Sequence, residues 1–485
     1  MTSMPELDPM VELAASYVAG KWVPGTLADT VDVTSPTTGD VLGTVGVAGR
    51  DEVNAAVAAA RSALSSWAQA SPAERGAALG RLADALSARK GRLADLTTAE
   101  IGSPRSWSTF GQVITAVGVL QAYAAITPEH PFIANRPSMT GGTVQIRQVP
   151  VGVVAAIIPW NTPLFIAALK LGPALAAGCT VVLKPALDAP LEFGALMEAV
   201  EEAGIPDGVV NVVHGGAVTG ELLVEHPGVD KVSFTGSTVV GAQIAATCGS
   251  LVRRCSTELG GKSPAIVLPD APLEKTVAGL VAGAMGNNGQ MCAALTRILL
   301  PRSRYDEFAS ALAAAVAGLA VGDPADRTTD VGPVINEAAR DRVEGFLTRA
   351  RSDGATLLTG GERPDLAGWF VAPALVEATN DMEIAREEIF GPVAVVIAYD
   401  DADGVADAVA IANDSRYGLV GAVWSADAEQ AAAVATQLHV GSVAVNSTAV
   451  LDFGSPFGGF KQSGIGREGG PEGIGGFVEL QAIIR

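Results

Sequence analysis

A chain of 485 residues with 32 basic and 52 acidic side chains carries a formal charge of -20, and no stretch concentrates its cations. That excludes a sequence-independent grip on nucleic-acid backbones, which needs clustered Lys and Arg. Its 48% hydrophobic and 17% charged residues exclude extended disorder, and its length exceeds what one core supports, so two or three domains are expected.

Residues 1–10 are acidic and lack the positive-then-apolar layout of a secretory signal. Residues 21–24 and 32–46 read as short strands with Pro and Gly turns. Residues 51–67 place apolar side chains at helical spacing. A second helix opens at Ser71-Pro72-Ala73-Glu74, where Ser71 caps, Pro72 suits the first turn and Glu74 completes a capping box. Residues 141–154 alternate like exposed strands, in the manner of a hairpin.

From there strand and helix alternate. Strands fall at 151–158, 180–183, 209–213 and 231–234, with helices at 164–177, 190–203 and from Ser237 onward. Alternating buried strands and helices predict a parallel, doubly wound sheet. The pattern returns more loosely over 263–446, which reads as a second α/β domain with surface helices at 306–319 and 336–352. Two long uncharged stretches, 148–169 and 276–296, are broken by Pro, Asn, Gln and Gly, so neither reads as a membrane span and a soluble protein is expected. Four cysteines with no C-x-x-C pair provide neither a disulfide framework nor a zinc set. They point to a reducing cytoplasm and to no metal.

Four local features carry chemistry. Pro159-Trp160-Asn161-Thr162-Pro163 follows an apolar strand, where ligands of open α/β sheets gather. The Asn161 amide suits a developing oxyanion there, and an ordinary helix cap competes as a reading. Phe234-Thr235-Gly236-Ser237-Thr238 runs from strand through Gly into helix, a setting for a pyrophosphate, although the full G-x-G-x-x-G fingerprint is absent. Glu258 beside Gly260 and Gly261 is a candidate general base, against the plain alternative of a solvated Glu. Gly286-Asn287-Asn288-Gly289-Gln290-Met291-Cys292 crowds amides and glycines around one thiol. A nucleophilic Cys needs a lowered pKa, often from backbone N–H groups at a helix start. Cys179, Cys248 and Cys255 have no such setting and read as structural. None of the four histidines sits in a motif with Cys292, which disfavours a cofactor-free cysteine hydrolase.

Taken in order, these segments resemble the aldehyde dehydrogenase superfamily, in its hydrolytic, NAD(P)-dependent branch. Lys184-Pro185-Ala186, Gly360-Gly361, Glu387-Glu388-Ile389-Phe390-Gly391-Pro392, Asn446 and Pro456-Phe457-Gly458-Gly459-Phe460-Lys461 extend the likeness across almost the whole chain. The resemblance implies two doubly wound Rossmann-like domains plus a small β oligomerisation element. Residues 1–127 and 150–259 would bind the dinucleotide, 260–455 would form the catalytic domain, and 128–149 with 470–485 would be oligomerisation strands.

The resemblance further implies that Cys292 is the nucleophile, that Asn161 and the Cys292 backbone N–H hold the oxyanion, and that Glu258 activates water against a thioester. Lys170 would tune proton traffic nearby. It assigns Lys184 to the adenosine ribose, Gly236 and Ser237 to the pyrophosphate, and Glu388 with Phe390 to the nicotinamide ribose. Ile157, Pro159, Trp160, Phe234 and Leu259 complete the cofactor set. Family members preferring NAD carry Glu where this chain has Leu187. Asp188 follows and is expected to take that role, giving a preference for NAD with NADP possible. The expected pocket residues Thr162, Phe165, Leu169, Met291, Ala293 and Phe453 carry no cation, which points to a neutral aliphatic or aromatic aldehyde. The β element implies a homodimer or homotetramer through pairing with a neighbour's sheet. The competing readings are a coenzyme A-acylating enzyme and a catalytically silent member of the fold.

Overall fold

Strands such as Val153–Ile157 and Thr180–Lys184, apolar through their centres, are buried along their entire length, as a sheet covered by helices on both faces requires. The computed structural model describes residues 11–25 and 29–485, so the reading of residues 1–10 lies outside the described residues.

The first large sheet has eight strands. Its centre is parallel, in the spatial order Arg254–Glu258, Lys231–Thr235, Val153–Ile157, Thr180–Lys184, Val210–Val213. Gly464–Ile465 closes one edge antiparallel, and Ser16–Val18 with Lys21–Val23 closes the other. From Val153–Ile157 the chain steps outward through 180–184 and 210–213, then returns to that strand's other side. The winding therefore reverses at the carboxyl ends of Val153–Ile157 and Lys231–Thr235, which is where open α/β sheets form their ligand crevice.

The second sheet has seven strands. Six are parallel, in the order Ala374–Glu377, Val393–Tyr399, Arg297–Pro301, Pro264–Val267, Val420–Trp424, Ser442–Val445, with Thr356–Thr359 antiparallel at the edge. Both sheets are thus doubly wound, as expected. Separate buried clusters line them: Leu79, Tyr123, Leu175 and Phe193 belong to the largest under the first, and Val343, Phe346 and Tyr399 to one under the second.

The local signals near the start hold. The helix Pro72–Ala88 is capped by Ser71, which accepts from the Glu74 N–H while Glu74 accepts from the Ser71 N–H at 2.7 Å. Residues 141–154, expected to form exposed strands in the manner of a hairpin, supply only one arm of it: Thr143–Pro150 pairs antiparallel with Ile133–Pro137, outside that range, and Val153 already begins a buried strand of the first sheet. Val478–Ile484 adds to the other side of Thr143–Pro150, making a three-stranded sheet within this chain. The tail therefore pairs with its own hairpin rather than first with a neighbour, and the sheet's two outer strands keep the open edges.

One helical run, Arg105–Glu129, is long and apolar enough to cross a membrane, and it is not one of the two uncharged stretches that stand out in the sequence. It packs against Pro72–Ala88 and Pro163–Ala177, and Val113, Ala116, Leu120 and Tyr123 on it belong to the main core.

Candidate active site

The two sheets meet end to end. The first contributes the segments just beyond the carboxyl ends of its strands: residues 157–161, 235–237 and Glu258. The second contributes the segments just before its strands: residues 260–263 before Pro264, Cys292 before Arg297, and Glu388 before Val393. Glu258 and Gly260 thus lie on the segment that passes directly from one sheet into the other.

The loop carrying Cys292 is pinned by its amides. Asn287 and Asn288 adopt left-handed φ angles of 51° and 59°, which Asn tolerates better than most residues. Asn288 donates to the carbonyls of Gly102 and Pro333 and accepts from the Gly332 N–H. Gln290 accepts from the Ile335 N–H, and Asn287 donates to the Asn161 carbonyl at 2.9 Å, with Gln112 donating to the same carbonyl at 3.0 Å. Gly289 packs so closely that a Cβ would stand 2.0 Å from the Gly391 carbonyl oxygen. The Asn161 side-chain amide donates to the Gln290 carbonyl at 2.9 Å, which leaves its second N–H available. It does not cap a helix; Thr162 occupies that position before Pro163–Ala177.

Cys292 is not at a helix start, and its thiol is not acidified. Burial first, then the Glu388 and Glu258 carboxyls, push it up to about 12, opposed only by the backbone N–H groups of Ala293 and Cys292. The sequence expectation of a lowered pKa is corrected here: like charges and desolvation outweigh two backbone dipoles.

Glu258 is buried at the end of its strand, and neither carboxylate oxygen finds a partner of normal hydrogen-bond geometry among the described residues. Burial and the nearby Glu468 raise its pKa well above the usual carboxylate range, against the pull of Lys170 and Arg467. Gly458 allows the close approach, since a Cβ there would stand 2.7 Å from Glu258 Oε1. Lys170 lines none of the cavities that hold Cys292. It is fully buried on Pro163–Ala177, paired to Glu468 at 2.7 Å and donating to Ser233 at 3.1 Å. Its effect reaches Glu258 as charge.

Three connected spaces surround these groups. On one side of Cys292 lies an apolar cavity of about 280 Å³, lined by Trp107, Phe165, Met291, Leu451, Phe453 and Phe457 among others. No charged side chain lines it among the described residues. Thr162 and Ala293 line it as expected, while Leu169 belongs to the core instead. On the other side a space of about 210 Å³ holds Glu258, Leu259, Glu388, Phe390 and Arg342. Cys292 and Asn161 line both. Beyond it a cleft of about 680 Å³ runs along Ile157, Pro159, Trp160, Lys184, Phe234, Gly236 and Ser237.

This second side fits a dinucleotide. Ser237 caps the helix Thr238–Ser250, whose free N–H groups open onto the cleft, and Gly236 lies under the Phe234 ring where a Cβ would stand 2.5 Å away. Lys184 is buried, its ammonium donating to the Pro185 carbonyl at 3.4 Å, and burial lowers its pKa to about 8 against the pull of Asp188. Glu388 accepts from the Gly261 N–H at 3.1 Å, and burial raises it to about 7. Phe390 has a left-handed φ of 61° and meets Trp160 edge-on at 5.6 Å. Such strain in a bulky residue collects at functional sites.

The structure does not bring Asp188 into the cleft. It is exposed and accepts from Asn336, the cap of Glu337–Ser352, at 3.2 Å. Glu221 lines the cleft instead, beside Gly220, whose Cβ would lie 3.6 Å from the Lys184 stem. Sequence reading also missed Glu468, Arg342 and Trp107. Glu468 had a signal, as an acidic residue between Gly464, Gly466, Gly469 and Gly470; the other two had none. No group of three or more His, Cys, Asp or Glu side chains forms a metal site among the described residues, and all four cysteines are free.

Residues 22–483 match the model of the aldehyde dehydrogenase family. The geranial dehydrogenase of Castellaniella defragrans is 42% identical over 470 residues, covering 96% of this chain and 98% of that protein. A Mycobacterium tuberculosis aldehyde dehydrogenase complexed with NAD+ superposes with a TM-score of 0.95 at 40% identity, covering 98% of this chain and 99% of that one. A Pseudomonas syringae aldehyde dehydrogenase variant in complex with NAD+ and octanal superposes with a TM-score of 0.93 at 37% identity, over 97% and 96% of the two chains. The chain belongs to the aldehyde dehydrogenase family and is an NAD(P)-dependent oxidoreductase that oxidises aldehydes.

Proposed function

We propose that the protein oxidises a neutral aliphatic or aromatic aldehyde to its acid through a thioester on Cys292. The carrying observation is that Cys292 lines both the uncharged cavity and the dinucleotide side. Aldehyde and cofactor approach it from opposite directions.

In this reading Cys292 gives up its proton as its sulfur attacks the aldehyde carbon. That proton passes to solvent, since Cys292 is only partly buried, and Glu258 is kept for the second half of the reaction, a carboxylate whose burial makes it a stronger base than usual. The free N–H of Asn161 and the Cys292 backbone N–H hold the oxyanion of the thiohemiacetal, a contact of about 3–4 kcal/mol on the barrier. The bound dinucleotide supplies the hydride acceptor that leaves a thioester behind. Glu258 then takes a proton from water, whose oxygen attacks the thioester carbon and releases the acid and the thiol. Lys170 and Glu468 set the charge around Glu258 without touching substrate.

Glu388 and Phe390 hold the nicotinamide end, and Gly236 with Ser237 the pyrophosphate. Lys184 holds the adenosine end, with Glu221 in place of Asp188 as the carboxylate that disfavours a 2′-phosphate. NAD is therefore favoured over NADP, moderately, because Lys184 attracts that phosphate. The open edges of the three-stranded sheet support a homodimer or homotetramer. A geranial dehydrogenase and an octanal complex among the relatives support an apolar substrate.

The test follows reduced nicotinamide by absorbance with NAD or NADP and a panel of neutral and carboxylated aldehydes, beside Cys292→Ala. The expected ranking puts neutral aldehydes with NAD first. Strong preference for a carboxylated semialdehyde, or turnover by Cys292→Ala, would overturn the proposal.

A further inference from the structure

A second apolar space adjoins the catalytic cavity. It is an open groove of about 530 Å³, lined by Phe110, Ala278, Val281, Met285, Leu319 and Val331. It and the catalytic cavity share Trp107 and Ala282 as walls. The indole ring of Trp107 is the partition. On one side it lies on Gly111, where a Cβ would stand 2.5 Å from the ring; on the other it faces Gly286, where a Cβ would stand 3.5 Å away. Two glycines thus give the ring its slot. Its buried N–H has no hydrogen-bond partner among the described residues, so packing sets its position.

The element that carries Gly111 is a π-helical segment, Ser108–Ile114, within an otherwise α-helical run. Such widened turns are rare and cluster at functional sites. This one carries Phe110, which is 70% exposed over the groove. That exposed ring lies on a groove sharing two walls with the cavity at Cys292, so the far end of a substrate tail is the occupant nearest to hand.

We propose that this groove is a distal subsite for the far end of a long, unbranched apolar tail on the aldehyde, laid across Trp107 from the catalytic cavity. This rests on the reading of Cys292 and its cavity given above. The tail is uncharged to its end, because the groove's acidic residue, Asp330, would repel a terminal carboxylate. Each methylene taken fully out of water is worth roughly fourfold in binding, and about half that effect per carbon, roughly twofold, is expected in a groove open on one side.

The experiment measures kcat/KM for saturated aldehydes from propanal to dodecanal in wild type and Ala278→Phe. Ala278 is exposed on Leu273–Met285 and outside the catalytic cavity, so the added ring fills the groove without disturbing the core. Wild type should gain with length beyond the chain that fills the inner cavity. Ala278→Phe should leave propanal within about twofold and lower dodecanal roughly tenfold, the value of three or four methylenes lost at twofold each. Trp107→Ala, which opens the partition, should shift preference toward bulkier tails. Calorimetric binding of hexanoate and dodecanoate reports on the groove without turnover: only dodecanoate should weaken in Ala278→Phe. Propanal and dodecanal responding alike, or dodecanoate binding no tighter than hexanoate in wild type, overturns the subsite. If wild type turns over no aldehyde, the parent reading fails, and the two acids still decide the groove.

Discussion

The two sides of Cys292 are built in different ways. The cofactor side is made of chain segments at strand ends: Pro159 to Asn161, Gly236 to Ser237, Glu258 to Gly261 and Glu388 to Phe390. Short contiguous runs there place backbone N–H groups, glycines and carboxyls where a charged ligand of fixed shape needs them. The substrate side is made mostly of apolar side chains from Trp107 to Phe457, contributed by helices and loops far apart in sequence. It offers volume and apolarity rather than directed hydrogen bonds. One side fixes a reaction, and the other admits a class of molecules.

The comparison can be broken by separating the two sides in mutants. Cys292→Ala should abolish turnover, on the order of a millionfold, as loss of a covalent nucleophile does elsewhere. Because that side chain is small and the cofactor side is built without it, NAD affinity by calorimetry should stay within about twofold. A large loss of affinity would mean that the two sides are not separable.

Glu258→Gln should lower steady-state turnover roughly a thousandfold, within the range of general-base removal. One equivalent of reduced cofactor should still appear in the first turnover, because Glu258 acts on water only after the thioester has formed. In wild type the rate should fall as pH drops, and the limb should lie well above the ordinary carboxylate range, because burial and Glu468 raise Glu258. Glu468→Gln removes one of those causes, so the limb should move to lower pH. A limb that stays put in Glu468→Gln would detach the Lys170–Glu468 pair from the base.

Asn161→Ala should cost roughly a few hundredfold in kcat, the loss of one oxyanion donor. The Asn161 amide also braces the Gln290 carbonyl, so a thermal melt distinguishes the two roles. Loss of rate with an unchanged melting temperature supports the oxyanion role.

The smallest effect concerns stability, away from the thiol. Glu192 is fully buried; it accepts from Thr97 at 2.6 Å, and burial raises it to about 7. Its folded pKa lies above the unfolded value, so its favourable contribution is complete at low pH. That contribution is lost as pH rises from the ordinary carboxylate range through about 7. Glu192→Gln should flatten that slope and raise stability at pH 8 by up to about 3 kcal/mol, a ceiling set by the size of the shift. A melting temperature with unchanged pH dependence would contradict this.

The same contrast explains what the sequence disclosed. Strand and helix placement in 151–250 was legible because both the apolar runs and their Gly and Pro stops are local. Cys292, Glu258 and Asn161 stood out because each sits in a short local motif. Their electrostatics were not legible: the thiol's high pKa comes from burial and then from Glu388 and Glu258, all set by segments distant in sequence. Asp188, one residue beyond Leu187, is bonded by Asn336, a partner nearly 150 positions on, and reaches Lys184 as charge, a placement that no local pattern discloses. Trp107 and Arg342 carried no signal, since tertiary packing alone puts them against the site.

The central claim is that Cys292 carries the acyl group between the two sides. The direct test mixes Glu258→Gln with NAD and nonanal, quenches in acid, and maps the protein by mass spectrometry. The account predicts one nonanoyl group on the peptide containing Cys292, dependent on NAD. No adduct in the presence of NAD, or an adduct on Cys179, Cys248 or Cys255, would contradict it.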